Sequence, residues 1–336
     1  MALNTTADNA VDPVATGLWY ERSNRPDRYV GLMAAPPREI EGISGQFAIA
    51  SEFDRLNEDQ GDSPYGGTQA WRNRTHPMSK AQEPREVGVG TSTDSVTLER
   101  YAEKCTIYDV DRTHMLAAHG FDLEQPALRR LFHVSRGIHE RKVGSFLTTT
   151  ANFATTADPG DIGDVSTSLV ASIYTAIRTI EDGIGEPPNM LACNLQIAHE
   201  WSLLNDVRNS LPLGSESQIA PFSALEAYCR QMFECQLVVF RGNFEDSSGS
   251  AASFFNDDHI AVYFASDVPG APSFVNTVTN SAVGTGMQLG PNTTGVKQLR
   301  SQYDDASVFV ADQWFKLKQG TGMSAAGYLL TDVSTA

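Results

Sequence analysis

The sequence is short of cysteine, of basic residues and of long apolar runs, and each shortage excludes something. Four cysteines in 336 residues, Cys105, Cys193, Cys229 and Cys235, do not make a disulfide framework. They read as buried thiols of a reducing compartment, so the sequons at Asn4, Asn73 and Asn292 are expected to carry nothing. Lys and Arg number 25 against 41 Asp and Glu, for a formal charge of −16. Such a surface does not grip nucleic acid by neutralising phosphates, which takes clustered Lys and Arg. It still permits a protein that lies near DNA without adhering to it. No apolar run approaches the ~20 residues of a membrane span, and the opening MALNTTADNA lacks the basic-then-apolar order of a signal peptide. No membrane partner is expected.

Motifs that carry chemistry are equally scarce. His199-Glu200 begins like the helical zinc signature H-E-x-x-H, but Leu203 stands where the second His belongs. Cys229 and Cys235, six apart, match no common zinc spacing. The run Gly284-Thr285-Gly286-Met287-Gln288-Leu289-Gly290 has the wrong last gap for a dinucleotide loop and lacks the strand–helix context. No G-x-S-x-G elbow occurs, although a nucleophile, His and Asp assembled from distant residues stays open. The many carboxylates read as solvation. Neither a catalytic, a cofactor-binding nor a metal site is assigned, and no cofactor is expected.

What the sequence does contain is a long helical stretch around 123–147. From Pro126 to Phe146, Leu128, Leu131, Phe132, Ser135, Ile138 and Phe146 fall on one side at 100° per residue. Arg129, Arg130, His133, Arg136, Glu140 and Arg141 fall on the other, while His139 and Lys142 project towards the apolar side. Pro126 suits a first turn, with Asp122 or Gln125 as cap. Gly137 and Gly144 each cost about 1 kcal/mol relative to Ala, so tertiary contacts must hold this helix. It is read as a spine. Its basic face is either a strip facing DNA or an ion-pair face against this acidic protein, the second being favoured.

Along the chain, residues 1–30 are polar, with Pro13 and Pro26, and read as an extended arm. Residues 31–95 hold Gly-, Pro- and charge-rich stretches around short β-like pieces, Gly45–Ala50 and Glu86–Val89. Tyr65 and Trp71 near the middle favour a long two-stranded flap that packs on a neighbouring subunit over a disordered segment. Ser95–Ile107 has helical or mixed character. A helix capped by Asp164 or Ser166 runs to Asp182, with Leu169, Val170, Ile173, Ala176, Ile177 and Ile180 on one face and Gly183 and Gly185 at its end. A buried strand Asn189–Cys193, a helix capped by Asn194, a helix Pro221–Phe233, and strands Gln236–Phe240 and His259–Phe264 complete an α/β unit over 160–265. Residues 266–303 form a second long excursion. The tail, Ser307–Leu317 and Gly327–Val333, reads as a hairpin returning to the spine, with Gly320 and Gly322 in the turn.

This order of parts resembles the major capsid protein family of tailed bacteriophages, the HK97-like fold. The likeness rests on Tyr108-Asp109-Val110-Asp111 before the spine, the helix Ser166–Asp182, Pro188-Asn189-Met190-Leu191 leading to Trp201, and the alternating tail with Trp314. It implies an α+β fold with an N-terminal arm at 1–30, an extended loop region at 31–95, a peripheral domain at 96–160 and 304–336, and an axial domain at 161–303. It also implies a chain that is no enzyme and self-assembles as hexamers and pentamers. These would tile an icosahedral shell around double-stranded DNA, in a virion assembled in the host cytoplasm. Arm and loop would bury their aromatics over neighbours, and an acidic shell would not trap its genome.

Two departures follow. Residues 1–30 are too short for the fused helical scaffold of some family members, which implies a separate scaffolding protein or prior removal of a longer segment. Portal and decoration proteins are further implied partners. Some members cross-link a loop lysine to a neighbour's asparagine; Lys80 is the one candidate here, with an exposed lysine as the plain reading. Two alternatives remain at this stage: an encapsulin-like compartment enclosing an enzyme, and a soluble α/β hydrolase or transferase with its core at 160–265.

Overall fold

A computed structural model describes residues 30–40, 44–51, 90–119, 123–162, 169–209, 222–245, 248–266, 273–280, 294–301, 305–320 and 323–334. Numbered along the chain, the strands are β1 (Pro37–Ile40), β2 (Ser44–Ser51), β3 (Gly90–Thr97), β4 (Glu99–Tyr108), β5 (Thr155–Ala157), β6 (Met190–Asn194) and β7 (Gln236–Phe240). There follow β8 (Asn243–Glu245), β9 (Ala251–Ser253), β10 (Ile260–Tyr263), β11 (Asn276–Asn280), β12 (Thr294–Ser301), β13 (Ala306–Lys318) and β14 (Gly327–Leu330). The chain divides into two compact units. The first draws on its described residues up to Phe47, on Ser95–Val143 and on Thr277–Lys318, and the second on Gly144–Asn276 and Gln319–Ala336 with part of the ribbon β2–β3.

The first unit is a spine helix, Glu124–Thr148 up to Val143, laid on a five-stranded sheet of order β1-β11-β13-β12, with β4 also pairing β13. Strand β13 organises this sheet. Its sequence alternates, so Phe309, Ala311, Gln313 and Phe315 share one buried face. Phe309 and Ala311, with Ile107 of β4, pack against Leu128, Leu131 and Phe132 of the spine. Further along, Gln313 Nε2 donates to the Ser135 carbonyl at 2.8 Å. Ser95–Ile107 is strand rather than helix, which corrects the sequence expectation. Its Glu, Arg, Ala and Lys favour a helix locally, but pairing from Tyr108↔Ala306 to Glu99↔Phe315 wins. A helix, Asp109–His119, separates β4 from the spine, and Arg112 ion-pairs with Glu124 at 2.8 Å.

The second unit is α/β. Its sheet has the order β5-β14-β10-β6-β7, and β6, β10 and β14 are buried throughout. β6 and β7 are parallel, joined through helices Leu195–Ser202, Asn205–Asn209 and Phe222–Phe233. The helix Leu169–Ile184 buries Leu169, Ile173, Ala176, Ile180 and Ile184, a 3.6-residue stripe, against β10 and β14. It ends at Gly185, whose φ of 81° is the left-handed conformation a helix stop uses, with its N–H on the Glu181 carbonyl. Asn194 caps the next helix as expected, its side chain accepting from Ile197 N at 2.8 Å. Asn189 clasps Ala265 in both directions, donating to its carbonyl at 2.6 Å and accepting from its amide at 2.8 Å.

The expected tail hairpin is not formed. β13 belongs to the first unit's sheet, whereas β14 lies between β5 and β10 of the second. The alternation of the two segments is real, but alternation does not specify a partner. The excursion at 266–303 likewise contains β11 and β12, the first parallel to β1 and the second antiparallel to β13. The spine, expected at about 123–147, runs from Glu124 to Thr148. Asp122, Asp164, Ser166 and Gly322 lie outside the described residues, as do residues 1–29.

Two stability outcomes follow from the packing. Phe309→Ala should cost about 3–5 kcal/mol in denaturant unfolding, whereas Leu116→Ala, at a residue 55% exposed, should stay within about 0.5 kcal/mol. Gly144→Ala should lower the Tm although Ala is the better helix former. A Cβ there would lie 2.1 Å from the backbone oxygen of Phe254, which cannot give way as a side chain can.

Candidate functional site

Two places in the structure combine unusual geometry with a position suited to function. The first is the ribbon, in which β2 and β3 pair as a separate two-stranded sheet. Of the flap expected within 31–95, the piece Gly45–Ala50 lies in β2, whereas Tyr65, Trp71 and Glu86–Val89 lie outside the described residues. The hydroxyls of Ser44 and Thr97 bond across it at 3.2 Å.

The second is a polar cluster buried against the spine. Arg38, Ser135, Arg136, His139, Glu140, Thr277, Thr279 and Gln313 are all buried. Thr277 is the hub: its hydroxyl donates to the Ala35 carbonyl at 2.9 Å, and its amide donates to the Pro36 carbonyl at 3.0 Å. The same hydroxyl lies 3.1 Å from His139 Nε2, whose ring meets Phe315 edge-on at 4.9 Å. Burial, reinforced by the neighbouring Arg136 charge, drives the His139 imidazole down to about 3, so it is neutral in ordinary buffers. Burial pushes the Glu140 carboxyl the other way, up to about 7, against the backbone amides of Gly31 and Val30 and the charge of Arg136.

The sequence reading found this cluster only in part. It turned His139 inward correctly, but it left Arg136 and Glu140 on the polar face and gave Lys142, which is exposed, to the apolar side. Of the basic face, Arg129, Arg130, Arg141 and Lys142 are exposed, with Lys142 over the Tyr101 ring at 5.5 Å.

His199 is exposed at a helix end, and Glu200 accepts from Gln196 at 3.1 Å and from the Ser334 hydroxyl at 3.4 Å. Cys193, Cys229 and Cys235 are buried, and burial pushes Cys193 and Cys235 up to about 12 and Cys229 higher still, so they are poor nucleophiles. Among the described residues no group of three or more His, Cys, Asp or Glu could hold a metal ion. Lys80, Gly284–Gly290 and the three sequons lie outside the described residues.

No protein-family model matches this sequence, and no curated protein matches it either. The structure does have relatives. A phage-related protein from Bordetella bronchiseptica RB50 superposes with a TM-score of 0.65 at 14% identity, over 98% of this chain and 99% of that one. A virus-like particle from Pyrococcus furiosus gives 0.56 at 10%, over 95% and 98%. The capsid of cyanophage P-SCSP1u gives 0.51 at 10%, over 92% and 90%. The chain has the HK97-like capsid fold.

The HK97-like fold was expected from the order of parts, and helices with mixed sheets carry it here. Its identity at 10–14% explains why no short motif announces it. Within the fold, protonating the buried His139 destabilises the first unit, an effect that the oppositely shifted Glu140 carboxyl opposes and that a His139 variant isolates. The folded value of His139 lies below the ordinary 6.5, so its contribution is whole above 6.5 and is lost as pH falls towards 3. Between pH 7 and 4.5, the wild type should lose about 2–3 kcal/mol more unfolding free energy than His139→Gln, read by urea titration at the two pH values.

Proposed function

We propose that this chain is a major capsid protein that self-assembles as hexamers and pentamers into an icosahedral shell enclosing double-stranded DNA. The observation that supports this most is the extent of the fold match, which takes in nearly the whole chain and nearly the whole of each neighbour, one of them a phage capsid. On this reading the chain is structural rather than enzymatic. The first unit, with spine and β13, serves as the peripheral domain, and the second as the axial domain. Residues 277–318 then go with the peripheral part and 319–336 with the axial part.

The ribbon β2–β3 is the base of the extended loop, which reaches over a neighbouring copy, and residues 1–30 act as the arm. A formal charge of −16 suits a wall that must hold DNA without adhering to it, so contact with the genome is not sequence-specific. A separate scaffolding protein, a portal and decoration proteins are the further partners of this reading, and the virion is its location, after assembly in the host cytoplasm. An encapsulin-like compartment, the alternative left open by the sequence, is the second reading.

Electron microscopy of the purified protein under assembly conditions should show closed shells, and mass spectrometry with nuclease treatment of particles from cells should find nucleic acid inside. A cargo protein in place of nucleic acid would decide for the compartment. The absence of any closed particle would count against both.

A further inference from the structure

The segment Val30–Ala35, which follows residues 1–29, is strapped over the spine at Glu140. The Gly31 amide donates to Glu140 Oε1 at 3.4 Å, and the Val30 amide bonds the same carboxyl. The fit is close enough to require glycine. A Cβ at Gly31 would lie 2.9 Å from His139 Nδ1 and 3.3 Å from Glu140 Cγ. With the strap in place Glu140 is 2% and His139 4% exposed. Beyond Ala35 the chain is held separately, by Thr277 on the Ala35 and Pro36 carbonyls and by β1 pairing β11 from Pro37↔Thr277 onward. The strap is thus a short helical turn, Gly31–Ala34, whose far end is fixed and whose near end meets the Glu140 carboxyl and the His139 ring.

We propose that Glu140 is a proton-controlled latch, which holds the Val30–Ala35 strap on the spine while its carboxyl is neutral and loosens it when the carboxyl ionises. A neutral carboxyl with Oε1 as its carbonyl oxygen still accepts from the Gly31 amide, and burying it is cheap. An ionised one is costly to keep dry and reaches water by lifting the strap. The raised range of this carboxyl agrees in sign. With the strap closed it holds its proton up to about pH 7, and once wetted it gives that proton up near the ordinary 4.5. The open form therefore binds fewer protons between these values, so opening is favoured as pH rises through that window and levels off above it.

The groups around Glu140 bear on this. On its own helix, Arg136 favours the ionised form but does not outweigh burial, and His139 is neutral while the strap is closed. From the sheet, β11 sets Thr277 and β13 sets Phe315 against His139, and neither is charged. If lifting the strap also wets His139, proton uptake there favours opening as pH falls below 6.5 and partly masks the Glu140 effect. A comparison with Glu140→Gln removes that masking, because His139 is common to both proteins.

The test is amide hydrogen exchange by mass spectrometry on the full chain, following residues 30–36 from pH 5 to 7.5 and corrected for intrinsic exchange rates. The opening constant of the wild type, divided by that of Glu140→Gln, should rise tenfold or more across this range. Two fully coupled pH units would give about a hundredfold. A smaller rise overturns the proposal. Glu140→Leu, also neutral and of similar length, replaces the glutamine variant as reference if that variant fails to fold.

Discussion

The seam between the spine helix and strands β4 and β13 is the contact on which the first unit depends. The helix cannot stand on its own propensity, since it carries Gly137 and Gly144 in its interior. It forms because Leu128, Leu131 and Phe132 find Ile107, Phe309 and Ala311 on the sheet face. That face exists because β13, at 13 residues, is long enough to take β4 and β12 along its two sides. One turn further along the helix the same seam changes character. Ser135, Arg136, His139 and Glu140 are buried there as well, met by Gln313, Phe315 and Thr277. Polar groups at such depth destabilise a fold unless their hydrogen bonds are made. This is why a segment more than a hundred residues earlier in the chain, around Gly31, closes over them.

The second unit is built more conventionally. Four of its strands, β6, β7, β10 and β14, are buried nearly throughout, and an amphipathic helix with a clean stripe packs on β10 and β14. Two asparagines do local work that no apolar residue could. Asn194 starts a helix directly at the end of β6, and Asn189 ties the other end of that strand to Ala265.

How legible each part was follows from where its partners lie. In 160–265 the partners are near in sequence, and periodicity, capping and glycine stops placed the helices and strands well. Ser95–Ile107 is hard to read because its strand character comes from β2 over Ser95–Thr97 and from β13, some two hundred residues away, over Glu99–Ile107, and not from its own Glu, Arg and Lys. The tail was misread for a related reason: β13 and β14 both alternate, yet they serve different sheets. Arg136 and Glu140 looked solvated because helical periodicity alone cannot reveal that the chain near Val30 returns to cover them. The fold class was legible in the order of elements, whereas the buried polar cluster was legible only at His139.

The proposed shell gives a physical reason for an acidic chain with little recognisable chemistry and a separate ribbon. In it, copies of this chain complete one another. Sedimentation velocity of the purified full chain, brought from dissociating to assembly conditions, tests this most directly. The account predicts that the boundary of a 36.5 kDa species gives way to particles of tens of copies or more. A persistent monomer at every concentration and salt condition tried would contradict it.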